Sequence, residues 1–572
     1  MASIIKKKVK KYTYYYLVES ARVNGNPRIV SQKYLGSAND IAKAVDLFNE
    51  GVPDPEFSTV LEFGAVCALL DLAERLGVRN IINAKAGKRV QGLPVGDYIL
   101  LAAINRAVRP KSKKVFFDWF DKTVLHNQFP AANKKSLSSQ GFWNNMSYLT
   151  EDKIRAIEDE LTKIIVKRYD LSTEYLLFDN TNFFTYLDTA NPSVLGKRGN
   201  SKQKRKELKL IGLSMMVSPE NNIPLFHETY SGNTNDAKRF SEVIESLKKR
   251  YKQIQKGDDG ITLVFDKGNN NEDNIEELLK EEPCSFHFVG GLRLSQCADL
   301  LDIPKEEYLV LDGECFKGAT AYRTTRYMYN QETTIVITYN PELFKEQLEG
   351  VIGNIEKCKV KMFDLQESLT ARADLKVTKG KKPTIDSITK RICDILSAQH
   401  MKEVFDYNIS SSKNDLPIVT YSLNDEKLEY VKDRVLGKSI LFTDHKDWTN
   451  EKIVSTFRMQ YHIEDCFKQM KDTEYLGFRP MLHWTDQMIR VHAFYCVLAL
   501  MLCSILNREI EAMGYKMSIH AMLDMLSEVQ QVITVFLQKG EKHISKSSFS
   551  RLNGTVKNII EELDLMKYQV KL

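Results

Sequence analysis

The sequence predicts an α/β protein, and three observations carry that expectation. Buried-strand runs follow one another from Tyr175 to Tyr230, then alternate with helical segments up to Val289. A block of helical period precedes them from about Ser58 to Tyr169. A long stretch with further strand-like pieces, about 293–449, separates them from a last amphipathic helix around Ser455–Lys471.

The chain has 572 residues, which at roughly 150 residues per domain implies about three domains and a large buried core. With 43% hydrophobic and 27% charged residues it belongs with globular chains, not disordered or fibrous ones. The net charge of +6 permits a polyanionic partner without demanding one. Basic residues gather at Lys6, Lys7, Lys8, Lys10 and Lys11, and again at Lys197, Arg198, Lys202, Lys204, Arg205, Lys206 and Lys209. Nine cysteines are scattered without a CxxC pair, so neither a zinc site nor a disulfide framework is indicated and a reducing compartment fits. The most apolar stretch, Val491–Leu506, is short and contains His492, and no apolar run follows the basic N-terminus. A cytoplasmic protein without membrane spans is expected.

In chain order, Thr13–Val18 and Arg28–Val30 flank Asn24-Gly25-Asn26, a strong hairpin signal, so residues 1–57 are expected to form a β arm. Val60, Phe63, Val66 and Leu70 at helical spacing open a helical region, 58–170, which Lys153–Val166 continues. Strands are expected at Tyr175–Asp179, Leu208–Val217 and Ile223–Tyr230, the last two joined by the turn Pro219-Glu220-Asn221-Asn222. A helix over Asp236–Tyr251, a strand over Gly260–Asp266 and a strand over Ser285–Val289 follow. His227 and His287 fall in strands and read as structural residues. Within 293–449, Thr333–Thr338 and Leu416–Tyr421 look like strands and 341–375 like a long charged helix. Residues 511–572 are expected to be helical.

Asp179 ends an apolar strand at Leu177-Phe178-Asp179-Asn180-Thr181-Asn182, and Asp266 ends another at Phe265-Asp266-Lys267-Gly268-Asn269. Singly, each has an ordinary reading as a turn aspartate. Together, carboxylates leaving neighbouring strands converge on one point, which is what a site for a hard cation such as magnesium requires. On the last helix, at about 100° per residue, 457, 460, 464, 468 and 471 share one face. Met459, Ile463, Cys466, Phe467 and Met470 gather on the adjoining face. That pattern aims Glu464, Lys468 and Lys471 at whatever lies above the strand ends; the plainer reading is a solvated Glu/Lys pair.

The strand order resembles that of ribonuclease-H-like domains. Five ordered motifs extend the resemblance over most of the chain: the Asp179 strand, Gly196–Lys202, Ile223–His227 followed by Tyr230-Ser231-Gly232-Asn233, Phe265–Asn269, and the Glu464 helix. They resemble the DDE-type transposases of bacterial insertion sequences, in the cut-and-paste group whose β-rich insertion precedes the glutamate. Asp179 and Asp266 lie 87 residues apart, and 198 separate Asp266 from Glu464, which leaves room for the insertion.

The resemblance implies a ribonuclease-H-like catalytic core of 171–292 and 450–510, interrupted by a β-rich insertion domain at 293–449. A β arm and a helical DNA-binding region precede it. It implies that Asp179, Asp266 and Glu464 hold two divalent ions, Mg2+ with Mn2+ as a substitute, for DNA cleavage and strand transfer. Lys267, Lys471 and the basic cluster at 197–209, including Lys197, Arg198, Lys202, Lys204 and Arg205, would contact phosphates. The region 58–170 would bind the element's terminal repeats, with Lys111, Lys113, Lys114, Lys134 and Lys135 supplying phosphate contacts. The family's helix carries Tyr seven residues and Arg four residues before the glutamate, and Lys seven after it. Here Phe457, Gln460 and Lys471 stand at those places, with Arg458 or Tyr461 as substitutes about 120° and 60° away on the wheel. The partners implied are double-stranded DNA, both terminal repeats and target, and a second copy of the chain on DNA. The protein would be cytoplasmic, prokaryotic and nucleoid-associated when bound. A structure-specific nuclease uses the same carboxylates without strand transfer, and a domesticated DNA-binding protein is expected to lose one of them. All three are present.

Overall fold

The computed structural model describes the chain except for residues 1, 24–25, 50–54, 90, 200–206, 235, 253–259, 281–285, 413, 537–543 and 572. It forms two compact units. One comprises 1–67, 118–130 and 524–572. It contains an antiparallel sheet of Ala2–Val9, Tyr12–Val23 and Asn26–Gly36, so the expected hairpin is present although Asn24 and Gly25 lie outside the described residues. A helix, Ala38–Asn49, follows. Its second sheet brings together Pro55–Glu62, Gln530–Phe536 and Ile544–Phe549.

That second sheet corrects two expectations. Ser58–Glu62 is strand and the helix starts only at Gly64, while the C-terminal region expected to be helical holds two strands. The physical reason is pairing: Val60 lies opposite Val532, and the partner strand is so distant in sequence that no local period announces it.

The other unit comprises 68–117 and 131–523. Among its elements, in chain order, are helices α1 (Val95–Val108) and α2 (Glu151–Arg168) and strands β1 (Tyr175–Thr185), β2 (Lys209–Ser218) and β3 (Ile223–Ser231). Then come α3 (Asp236–Tyr251), β4 (Ile261–Phe265), α4 (Glu272–Leu279) and β5 (Phe286–Leu292). Next are β6 (Leu309–Val310), β7 (Thr320–Met328), β8 (Gln331–Tyr339), α5 (Pro341–Ala373) and β9 (Lys438–Thr443). Helices α6 (Asn450–Arg458), α7 (Gln460–Lys471) and α8 (Asp486–Ala512) follow. The strands make one mixed sheet of nine, in the order β6-β7-β8-β9-β5-β4-β1-β2-β3. Neighbours β1, β4 and β5 are parallel, and every other pair is antiparallel.

The five strands expected between 175 and 292, and helix α3, are present, but the first does not end at Asp179 as expected: β1 runs on to Thr185, because Asn180–Thr185 keep pairing with β2. The β2–β3 turn is tight because Asn221 and Asn222 adopt positive φ, 55° and 56°, which asparagine tolerates better than most residues. The insertion departs from expectation: it is not a β-rich domain. Its strands β6 to β9 extend the main sheet, and what remains, 341–436, is mostly helix with one hairpin of Phe405–Ser411 and Pro417–Leu423. That remainder has its own apolar core around Val351, Ile355, Met362, Ile392, Met401 and Val431.

Helix α8 is long and apolar enough to cross a membrane, yet 94% of its most apolar window is buried inside the fold. It packs on α1 and β3. Nearby, Arg250 bridges Glu158 at 2.8 Å and Asp159 at 2.6 Å, Arg155 reaches Glu228 at 2.8 Å, and His227 bonds Glu158. This buried network joins α2, β3 and α3 and gives His227 the structural role expected of it.

Candidate active site

Strands β1 and β4 run in parallel with Phe178 opposite Phe265. Both rings pack on Phe240 of α3, at 5.1 and 5.2 Å. Side chains alternate along a strand, so the next residues, Asp179 and Asp266, fall on the opposite face, one strand spacing apart, roughly 5 Å between backbones. Each aspartate accepts the N–H of the following residue at 2.7 Å, Asn180 for Asp179 and Lys267 for Asp266. Asp179 is half-buried and Asp266 exposed.

An asparagine network fixes the loop after Asp266. Asn180 donates to Asn269 Oδ1 at 3.2 Å, Asn274 donates to the Asn269 carbonyl at 2.6 Å, and Asn270 donates to the Gly291 carbonyl at 2.6 Å. Asn271 caps α4 by accepting the N–H of Asn274 at 2.8 Å. Sequence reasoning passed over these residues, although the run Asn269-Asn270-Asn271 was a visible sign of side chains competing for backbone groups.

The glutamate comes from α7. Gln460 donates to the Phe178 carbonyl at 3.3 Å, and Lys471 donates to Thr181 Oγ1 at 2.7 Å and lies over the Phe183 ring at 6.0 Å. Asp179, Thr181 and Phe183 share one face of β1. Gln460, Glu464 and Lys471 share one face of α7, within about 40° of one another. The helix is thus laid along β1 with exposed Glu464 on the side that carries Asp179. Its other side is held by the β2–β3 turn: His462 bonds Asn222 Oδ1 at 2.5 Å, and Cys466 donates to the Asn222 carbonyl at 3.4 Å.

The expected single helix over 455–471 is broken at Met459, so the 100° step does not carry across. Phe457 belongs to α6 and lies against Gly291: a Cβ built there would come within 3.2 Å of its ring. Arg458 is turned away from Glu464, donating to the Cys315 carbonyl at 2.7 Å and covering Phe316 at 5.0 Å.

The other basic candidates divide. Lys267 and Lys468 are exposed near the carboxylates' elements. Lys197 pairs by its backbone with Leu210, and Arg198 reaches Thr189 at 3.4 Å. Lys202, Lys204, Arg205 and Lys206 lie outside the described residues. Lys209 is buried in β2 and donates to the Asn191 carbonyl at 3.0 Å, so it is a core residue and not a phosphate contact. Lys113 is corrected likewise: its ammonium is buried over Phe116, Phe142 and Tyr495, at 5.0, 4.4 and 4.5 Å, and burial holds it well below the usual lysine value.

A cleft of about 380 Å³ opens beside Asp266, lined by Lys267, Arg293, Phe457, His400 and Lys438 among others. Lys438 donates to the Leu301 carbonyl at 2.7 Å, and burial pushes its ammonium down to about 8. No local pattern could have picked out His400 or Lys438, because the sheet extension brings them there. A group of metal-ligating side chains with donor atoms all within 4.8 Å of one another occurs elsewhere, at His287, Asp444 and His445; the three carboxylates are not drawn together that closely.

No family model matches the chain, and no curated protein matches it. Among solved structures it is similar to the piggyBac transposase synaptic complex with hairpin DNA, at TM-score 0.35 and 12% identity over 81% of this chain and 79% of that one. It is also similar to the Mos1 transposase paired-end complex with left transposon end, at TM-score 0.14 and 13% identity over 35% of this chain and 60% of that one. Likenesses this weak decide neither family nor activity, so the function must be read from the chain's own residues.

Proposed function

We propose that this protein is a DDE-type transposase of a bacterial insertion sequence, cutting and joining DNA with Asp179, Asp266 and Glu464. One observation carries the reading: Asp179 and Asp266 follow the paired residues Phe178 and Phe265 of two parallel neighbouring strands, at one level, and Gln460 and Lys471 hold α7, the helix of Glu464, against β1. The segment β3-β2-β1-β4-β5 of the mixed sheet, with its first three strands antiparallel and its last two parallel additions, supports the ribonuclease-H-like reading of the core. The long excursion before the glutamate fits the same reading.

The donor set is three carboxylates from three elements, all hard oxygen, which suits Mg2+ with Mn2+ as substitute. When bound, such ions activate a water or 3′-hydroxyl and stabilise the leaving oxygen of an in-line displacement. The chain's part is positioning. The Asn180 and Lys267 N–H groups orient the two aspartates, and Gln460 and Lys471 fix α7 on β1. Exposed Lys267 and Lys468 offer phosphate contacts beside the carboxylates, and a second copy is expected on DNA because two ends must be joined in one event.

The test is cleavage of duplex DNA bearing the element's ends, with Mg2+ or EDTA, for wild type and Glu464→Gln. Metal-dependent cutting that the substitution abolishes, with end binding retained, supports the proposal. End binding without cleavage, unchanged by the substitution, overturns it in favour of a non-catalytic DNA-binding protein.

A further inference from the structure

The opposite ends of the same strands hold a second constellation. His287 is the second residue of β5, and Asp444 and His445 follow directly on β9, which pairs with β5 through Thr443 and Val289. Their donor atoms all lie within 4.8 Å of one another. Asp444 is held on two sides: Oδ1 accepts the Phe288 N–H at 2.9 Å, and Oδ2 meets His287 Nδ1 at 2.6 Å. The His287 and His445 rings are 4.5 Å apart. His445 Nε2 bonds Thr262 Oγ1 at 2.9 Å, and its ring stacks on Trp448 at 3.6 Å, nearly parallel at 8°. Gly260 makes room for the pair, since a Cβ there would come within 2.6 Å of His287 Nε2.

His287 and His445 border a cleft of about 640 Å³ lined by Asp170, Ser172, Glu174, Thr262, Trp448 and Lys452 among others. Lys452, which lines the cleft, is turned onto the Trp448 ring at 4.1 Å and towards Glu174 at 3.7 Å. The length of β4 separates this cleft from Asp266, on the order of 15 Å at about 3.3 Å per residue.

We propose that His287, Asp444 and His445 form a site for a divalent transition-metal ion of the zinc class, separate from the three carboxylates. Two imidazoles and a carboxylate are the nitrogen and oxygen donors that zinc takes, with water in the remaining position facing the cleft. Magnesium, which favours oxygen throughout, is not suited to it. The ion has a structural task that follows from chain order. Asp444 and His445 stand where the chain returns from the long excursion, and β5 supplies His287. Trp448, stacked on His445, precedes Thr449, which caps α6 by accepting the Lys452 N–H at 3.2 Å. An ion here pins the start of the α6–α7 segment to the sheet. The site stands whether or not Glu464 is catalytic.

The test uses full-length protein freed of metal with a chelator, in an Asp266→Asn background that removes a carboxylate from the other site. Cobalt(II) is titrated and read by visible d–d absorption. We expect one equivalent to bind, to be displaced by zinc but not by excess magnesium, and to bind at least roughly tenfold more weakly in Asp444→Asn and His287→Gln. Zinc should also raise the thermal midpoint of the parent and not of these variants. His445→Gln is a poorer probe, because its ring is wedged between Thr262 and Trp448; His287, with 38% of its side chain exposed, carries the test if that variant does not fold. Absent binding, displacement by magnesium, or binding unchanged in His287→Gln overturns the proposal.

Discussion

Asp179 and Asp266 each follow an apolar run and each receive the next N–H, although Asp266 leaves the end of β4 while β1 continues past Asp179 to Thr185. That repetition is why both were legible in the sequence, where an apolar run ending in Asp-Asn or Asp-Lys stands out. Glu464 was legible for a different reason, the helical face it shares with Lys468 and Lys471. The side chains that place these residues were not. Gln460 reaches a main-chain carbonyl, and Asn222 holds α7 from a turn more than two hundred residues away, so neither leaves a period. Two lysines with one apparent role separate at this scale. Lys471 bonds Thr181 and lies over Phe183, whereas Lys468 is exposed. Lys468→Ala is therefore expected to leave folding stability within about 0.5 kcal/mol of wild type, checked by urea denaturation. If Lys468 meets a phosphate, the slope of log affinity against log salt for duplex DNA drops by about 0.9. An unchanged slope removes Lys468 from the DNA contacts. Gly199 and Gly232 of the quoted motifs are packing residues: a Cβ on Gly232 would sit 2.0 Å from the Leu210 carbonyl oxygen. Gly232→Ala should lose about 1–3 kcal/mol by thermal or urea unfolding, whatever the substrate.

Between elements, the buried ion network is the most consequential feature that periodicity hid. Glu158 looks like an ordinary polar position on α2, yet it is fully enclosed with His227 and Arg250. Burial alone would raise its carboxyl, but His227 and Arg250 outweigh it and hold the group below the ordinary 4.5. The sign follows from linkage. A folded-state value below the unfolded one stabilises the fold fully above pH 4.5, and the contribution is lost as pH falls from there through the lower folded value. Urea midpoints measured from neutral pH down to about pH 3 should fall through that window. Glu158→Gln should flatten the fall while lowering stability at neutral pH. Arg250→Ala leaves Glu158 and Asp159 short of a partner in a buried setting and should cost about 3–5 kcal/mol at neutral pH. A loss under about 1 kcal/mol would show that the network is solvated in solution.

At the scale of the whole molecule, the sequence suggested a core with an inserted domain, and the sheet divides the chain differently. Local signals found β8 as a strand and missed β7, and which sheet β8 joins depends on pairing across a hundred residues, which no local pattern encodes. The same limit hid the pairing of Pro55–Glu62 with Gln530–Phe536. The topology yields a sharp expectation about 341–436. Strands β8 and β9 are antiparallel neighbours with Tyr339 opposite Lys438, and the Asn340 N–H donates to the Gly437 carbonyl at 2.9 Å. The excursion therefore leaves and rejoins the sheet where a hairpin turn would sit, and it carries its own apolar core. Replacing 341–436 with a short Asn-Gly turn should leave one cooperative unfolding transition and unchanged binding at the His287 site, because two-residue turns of this kind match strand twist. What the replacement removes near Asp266 is the wall of the cleft formed by Gln347, His400 and Leu436. If that wall helps seat DNA, the shortened chain folds but cuts element ends poorly. If it unfolds instead, as a lost transition in circular dichroism would reveal, the excursion is part of the folding unit and the sheet depends on it.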